Sequence, residues 1–390
     1  MINRVTTEER PDAGDSEGTD DEVTHARRRE LLRAGTALGT SAALVLGFGA
    51  EYVSSGETET ITYALARPEP DADALEPRTK EVPIEWYESL QLAFEVQERV
   101  LAAGLAPLVG SFVVPGTFAD SAATISVDST DESVLETLED LTGDVRLDLN
   151  VVDPIPPKPG GETDLSDAYQ VSELDDGDVP GGVVCLSEDS FGTLTPALYD
   201  GDGSRYFATS NHVFGASGTK ETEHRGDPLS VRHDGEERRV GTVDRGYPTA
   251  DVVRVSPVEE YRPASAIERA SPSRVLGQFT KIGLADLMAR GKPLTKVGAL
   301  SDTTSGEIQG IDGLTCYTGE VCKPGQLKWG DEHGIVDGDS GSAAFHADPE
   351  NPDDGLLVAS INNARSWWSE ADFVWGTAAH HLLDAYDLHF

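Results

Sequence analysis

Asp337-Gly338-Asp339-Ser340-Gly341-Ser342, running into the small, apolar Ala343-Ala344-Phe345, is the stretch on which the reading of this chain turns. A serine between glycines just before a strand-like run has what a nucleophile needs: an exposed hydroxyl, and backbone free to turn its amides toward a developing oxyanion. The same residue types also make an ordinary tight turn between strands, so the stretch needs partners. His212, in Tyr206-Phe207-Ala208-Thr209-Ser210-Asn211-His212-Val213-Phe214, stands where polar residues interrupt an apolar, strand-like pattern. Asp251 opens Asp251-Val252-Val253-Arg254-Val255, the mouth of a buried strand, where a carboxylate needs a partner such as an imidazole N–H. Asp244 is the alternative carboxylate, without an apolar run after it.

Composition bounds what such a site could serve. The 390 residues are 38% hydrophobic, enough for two domains with at least one large core. Seventy acidic residues face thirty basic ones, for a formal net charge of −40. No basic face is left to neutralise phosphates, which argues against nucleic acid as a partner. Acid dispersed through folded segments reads as a surface built for high salt, where screening removes self-repulsion. Of three cysteines, Cys316 and Cys322 could close a short loop by a disulfide in an oxidising compartment. No second pair or regular histidine spacing supports a metal, and Cys185, in an apolar run, reads as a buried thiol.

Residues 1–50 form an acidic N-region followed by Arg27-Arg28-Arg29-Glu30-Leu31-Leu32-Arg33 and the uncharged run 34–50. That run is short of the ~20 apolar residues of a membrane span, and the arginines before it resemble a twin-arginine export signal, cleaved or kept as an anchor. Residues 51–153 read as a small α+β module of order βαββαβ, suggesting a ferredoxin-like fold. Its elements are a strand at 60–65, a helix opened by Pro83 and ended at Gly104, strands at 108–114 and 122–127, a helix capped by Thr130, and a strand at 145–151. No catalytic pattern falls within it, so a pro- or regulatory role is expected. The Pro/Gly-rich run 154–161 and the acidic segment to about 180 read as a linker. Residues 181–390 read as all-β, with a closing helix within 376–388.

The order His212, Asp251, Ser340, with these flanks, resembles the chymotrypsin/trypsin-like serine protease family over roughly the last half of the chain. The resemblance implies a double β-barrel and an endopeptidase acting on polypeptides through an acyl-enzyme, with no cofactor and no metal. Ser340 would be the nucleophile, His212 the general base and then acid, Asp251 its orienter, and the amides of Gly338 and Ser340 the oxyanion hole. Asn211, where the common animal form has alanine, brings the chain closer to microbial and plant relatives; acidity and signal point to an exported, haloarchaeal form. Asp339 resembles the family's acid that braces the loop through a buried ion pair, its partner here left open. Ser342 replaces a glycine, which is tolerable at negative φ. Gly334 stands where trypsin-like enzymes carry the acid of the specificity pocket, so a strict Lys or Arg preference is not expected. Ser360-Ile361-Asn362 would be the substrate-pairing strand, one of Trp367-Trp368 could line a pocket, and Lys296-Val297-Gly298 with Thr303-Thr304-Ser305-Gly306 read as barrel architecture. The alternatives are a protease-fold binding protein without turnover and an esterase, the latter disfavoured because no Gly-x-Ser-x-Gly elbow is present.

Overall fold

The computed structural model of the chain describes residues 57–390 apart from 69–71, 73, 153–164, 175, 189, 216–219, 317–321, 332–333 and 366–372. The acidic N-region, the export signal or anchor, the Pro/Gly boundary and Trp367-Trp368 lie outside the described residues. Residues 56–390 form one compact unit, built on two large, mostly antiparallel sheets.

The first sheet runs Leu388–His389, Leu198–Asp200, Arg205–Ser210, Val252–Pro257, Glu236–Tyr247, Pro228–His233, Val184–Leu186 and Phe191–Thr193. Short β-branched runs bury one face here, with Val183, Leu194, Phe207, Val231, Val253 and Val255 all fully buried. The second sheet carries Leu294–Gly298, Ala343–Ala347, Leu356–Arg365, Val374–Ala378, Lys323–Trp329 and Ile308–Thr315 in that order. Its ladder then continues directly into Leu108–Val114, Thr124–Ser129 and Arg146–Val151. Among the described residues neither ladder returns to its first strand, so the fold is mostly β, with two large sheets left open in their hydrogen bonding where two closed barrels are expected. The helix Ala379–Tyr386 follows the strand Val374–Ala378.

Residues 57–152 differ most from expectation. The expected helices and strands occur in the expected order, with one more strand, Glu76–Pro83, paired to Thr58–Ala66. Asp131, not Thr130, caps the turn before the second helix, its carboxylate accepting from Ser133 N. These elements do not close a four-stranded ferredoxin-like sheet of their own. Thr58–Ala66 pairs with Val275–Phe279, and Leu108–Val114 pairs with Ile308–Thr315. The physical reason is burial on both faces of Leu108–Val114, including Phe112 and Val113, which suits a central strand rather than the end of a small sheet. Gly313 lies under the Phe112 ring, which a Cβ there would strike.

The helix Ile84–Ala102 covers this junction. Trp86, Leu90, Ala93, Gln97 and Val100 recur every three or four residues and are buried. Gln97 is satisfied by Ser111 Oγ (2.7 Å) and by Asp312 O (3.2 Å). One continuous core holds Trp86, Leu90 and Ile125 together with Phe279, Leu327 and Trp329. The segment expected as linker also packs: Tyr169 N donates to Ala299 O, Val171 N to Arg232 O, and residues 178–181 pair with Arg262–Ile267. Lys281–Ala289 is a short helix in the stretch read as all-β, capped by Thr280, whose hydroxyl accepts from Gly283 N.

Candidate active site

Strand register sets the first half of the site. In the antiparallel pair of Arg205–Ser210 and Val252–Pro257, Ser210 lies opposite Val252, so the residues just beyond them meet. Asn211 N donates to Asp251 O (3.0 Å), and the tight turn Asn211–Phe214 carries His212 back over Asp251. His212 N donates to Asp251 Oδ1 (3.0 Å), and its ring Nδ1 lies 2.9 Å from Asp251 Oδ2. An ionised carboxylate can only accept, so the proton sits on Nδ1 and Nε2 is the free acceptor. Asp244, the alternative, is engaged by Arg254 at 2.6 Å and takes no part.

Burial alone would push the Asp251 carboxyl up, but His212 and the Lys323 ammonium outweigh it and hold it well below the usual carboxylate range. Lys323 Nζ donates to Asp251 Oδ2 at 2.7 Å. The stability this depression carries is present above the carboxylate's unfolded value, near 4, and is lost as the pH falls toward the folded one.

The second sheet brings the serine loop. Asp339 N donates to Val336 O (3.0 Å), closing a turn in which Gly338 has φ +104°. A positive φ at the third position makes the turn type II rather than type I, the two differing by a flip of the peptide that bears the Gly338 N–H. A Cβ on Gly338 would also lie 2.6 Å from the Phe191 ring. Thr193 holds this loop from the first sheet: its hydroxyl donates to Gly338 O (2.9 Å), its amide to Ser340 O (2.8 Å), and its hydroxyl accepts from Ala299 N (3.0 Å). Among the described residues, neither the Gly338 nor the Ser340 amide donates to a protein acceptor. Gly341 packs against Ser210 N, two residues before His212. Ser340 is half-buried, and among the described residues no hydrogen bond joins its hydroxyl to the imidazole, a looseness common before substrate binds. Ser342 is buried, is not at positive φ, and accepts from Asn362 Nδ2 through its hydroxyl (3.0 Å).

The partner of Asp339 is Lys296. Its ammonium lies 3.0 Å from Asp339 Oδ2, both side chains fully buried. Leu300 N, Ser301 N and Val336 N satisfy the remaining lone pairs, and Ser301 Oγ shares the ammonium. Burial pushes the Lys296 ammonium below its usual range although Asp339 opposes it. Removing one partner of such a pair strands a buried charge, so Lys296→Met is expected to cost about 3–5 kcal/mol in denaturant unfolding. A loss under about 1 kcal/mol would contradict this role.

Ser360-Ile361-Asn362 is not an open strand. Ser360 and Ile361 pair with Ala344 and Ala343 on one side and with Ala378 and Thr377 on the other, and Asn362 bonds Gly341 N and Ser342 O. Pairing with Ala343–Ala347 stops at Ile361, while pairing with Val374–Ala378 runs on to Arg365. Among the described residues, the open edge beside Ser340 is therefore 363–365. Gly334 O accepts from Thr304 Oγ1 (2.7 Å). Cys316 and Cys322 are joined by a disulfide, and Cys185 is buried. No group of metal-ligating side chains occurs among the described residues, and none of their helices is long and apolar enough to cross a membrane.

Sequence reading missed Lys323 and Thr193, and took Lys296 as barrel architecture, not as the partner of Asp339. Only Lys296 leaves a signal: it alternates with Leu294 and Gly298 on the buried face of its strand.

No protein-family model and no curated protein matches the chain. Solved structures similar to it include a glutamic acid-specific serine protease with a histidine triad in substrate binding, 20% identical, covering 54% of this chain and 99% of its own, with a TM-score of 0.39. Nocardiopsis protease is 15% identical, covering 54% of this chain and 97% of its own, with a TM-score of 0.40. Thermobifida fusca protease A is 16% identical with the same two coverages and a TM-score of 0.38. The likeness to these serine proteases is remote and spans about half of the chain.

Proposed function

We propose that the chain is a serine endopeptidase with Ser340 as nucleophile, His212 as base and Asp251 as orienter. The observation that carries this is the His212–Asp251 pair together with the packing of Gly341, next to Ser340, against Ser210 N, two residues before His212, and the positive φ of Gly338. Ser340 Oγ attacks the scissile carbonyl as His212 Nε2 takes its proton; the two amides receive the oxyanion, and the imidazolium returns the proton to the leaving amine. Water then repeats the sequence on the acyl-enzyme. An extended peptide adds as a strand to the open edge 363–365, which brings its scissile bond to Ser340. Residues 57–152 serve as a folding or regulatory module. The acidic composition and the N-terminal signal fit an exported enzyme working in high salt, held at a membrane only if that signal is kept.

Casein and a matched pair of peptide and ester substrates, assayed in molar salt, test the reaction class. Cleavage of peptide as well as ester, with the full chain, is the expected result. Turnover of ester alone would make the protein an esterase, and turnover of neither by a folded chain would make it a binding protein on the same fold.

A further inference from the structure

We propose that Lys323 is a positioning residue of the His212–Asp251 pair, fixing the Asp251 carboxylate and setting how strongly it holds a proton on the imidazole; this rests on the hydrolase reading above. Asp251 is buried, with a side-chain exposure of 6%. Its Oδ1 takes His212 N, while its Oδ2 takes both His212 Nδ1 and Lys323 Nζ. Lys323 needs no other function at that point: its ammonium is aimed inward from a side chain 22% exposed, and it contacts the one carboxylate that orients the base.

The geometry also shows why it is held there. His212 and Asp251 come from the first sheet, whereas Lys323 is the first residue of Lys323–Trp329 in the second, opposite Thr315 and next to the bridged Cys322. A second tie joins the sheets at the same place, where Thr377 Oγ1 donates to Ala250 O. Lys323 thus clamps the orienting carboxylate to the half of the molecule that carries Ser340.

The charge has a direction. A carboxylate shared with an ammonium attracts an imidazolium less than a carboxylate alone, so Lys323 restrains the basicity that Asp251 lends His212. Among the described residues, His212 and Lys323 are the titratable side chains in direct contact with the carboxylate. Farther out lie the exposed Arg245–Glu221 pair, the Arg254–Asp244 pair beside Tyr247, and His381 of the closing helix, which packs on Gly325. None of these is on Asp251, and the two outer ion pairs are already self-compensated. The Lys323–Asp251 pair is partly buried and so is screened less than a surface pair, which keeps part of the effect in molar salt.

The test is a titration of the His212 ring by NMR on a Ser340→Ala background, comparing Lys323 with Lys323→Met, Lys323→Gln and Lys323→Arg, the signal assigned by its loss in His212→Gln. The Met and Gln variants are expected to titrate about one pH unit higher, with Arg close to the parent. An unmoved midpoint in either folded neutral variant would overturn the proposal, as would an Arg variant shifted as far as Met. This readout needs no turnover, so its failure is distinguishable from failure of the hydrolase reading. In the active enzyme the acid limb of kcat/KM moves up with it, whereas a merely structural lysine would lower the rate alike at every pH.

Discussion

A chain beginning at residue 165, without residues 57–152, is expected not to reach a native fold. The strand Ile308–Thr315 would lose Leu108–Val114 and become an open edge, and Val275–Phe279 would lose Thr58–Ala66. Phe279, Leu284, Leu327 and Trp329, all buried in the shared core, would face water. Two buried carboxylates would lose partners as well. Asp348 is bonded by Tyr63 and Arg78, and Asp286 by Lys80; Asp286 would keep only Arg290. Near-UV circular dichroism and cooperative unfolding, in high salt, check this. A truncated chain with native packing would show that residues 57–152 are an appendage.

The second large effect is on turnover. Ser340→Ala removes the only proposed nucleophile and should lower kcat by about 10⁶-fold, since members of such a triad act as a unit. Asp251→Asn keeps the shape but no longer dictates which imidazole nitrogen bears the proton, and should cost about 10⁴-fold. The double variant should be no slower than Ser340→Ala. Additive losses would mean that Asp251 acts on something other than the His212–Ser340 pair.

How much of this was legible depends on what each residue reports to its neighbours in sequence. His212 and Asp251 were readable because each sits where a polar residue interrupts a buried strand, and the register of those strands then brings them together. Gly338 was readable from its turn chemistry. The helix Lys281–Ala289 left no amphipathic trace, because Leu284, Ala285 and Leu287 are buried around most of its circumference. In Glu76–Pro83 the less exposed positions include Arg78 and Lys80, held by the buried Asp348 and Asp286, so its sequence lacks the apolar alternation of a strand. The ferredoxin-like reading failed at pairing, not at elements: local pattern says that residues 108–114 form a strand, but not that Ile308–Thr315 is its neighbour. Lys323 is the extreme case, because its role comes from a carboxylate on the other sheet. The open edge at 363–365 likewise depends on where the partner strand Ala343–Ala347 begins.

The central claim is that Ser340 is activated by His212 in a preformed site. Mass spectrometry of the folded chain after fluorophosphonate treatment in molar salt tests it directly. A single adduct on Ser340, absent in Ser340→Ala and strongly slowed in His212→Gln, is the predicted result; no adduct on Ser340 in a folded chain, or labelling that survives Ser340→Ala, would contradict it.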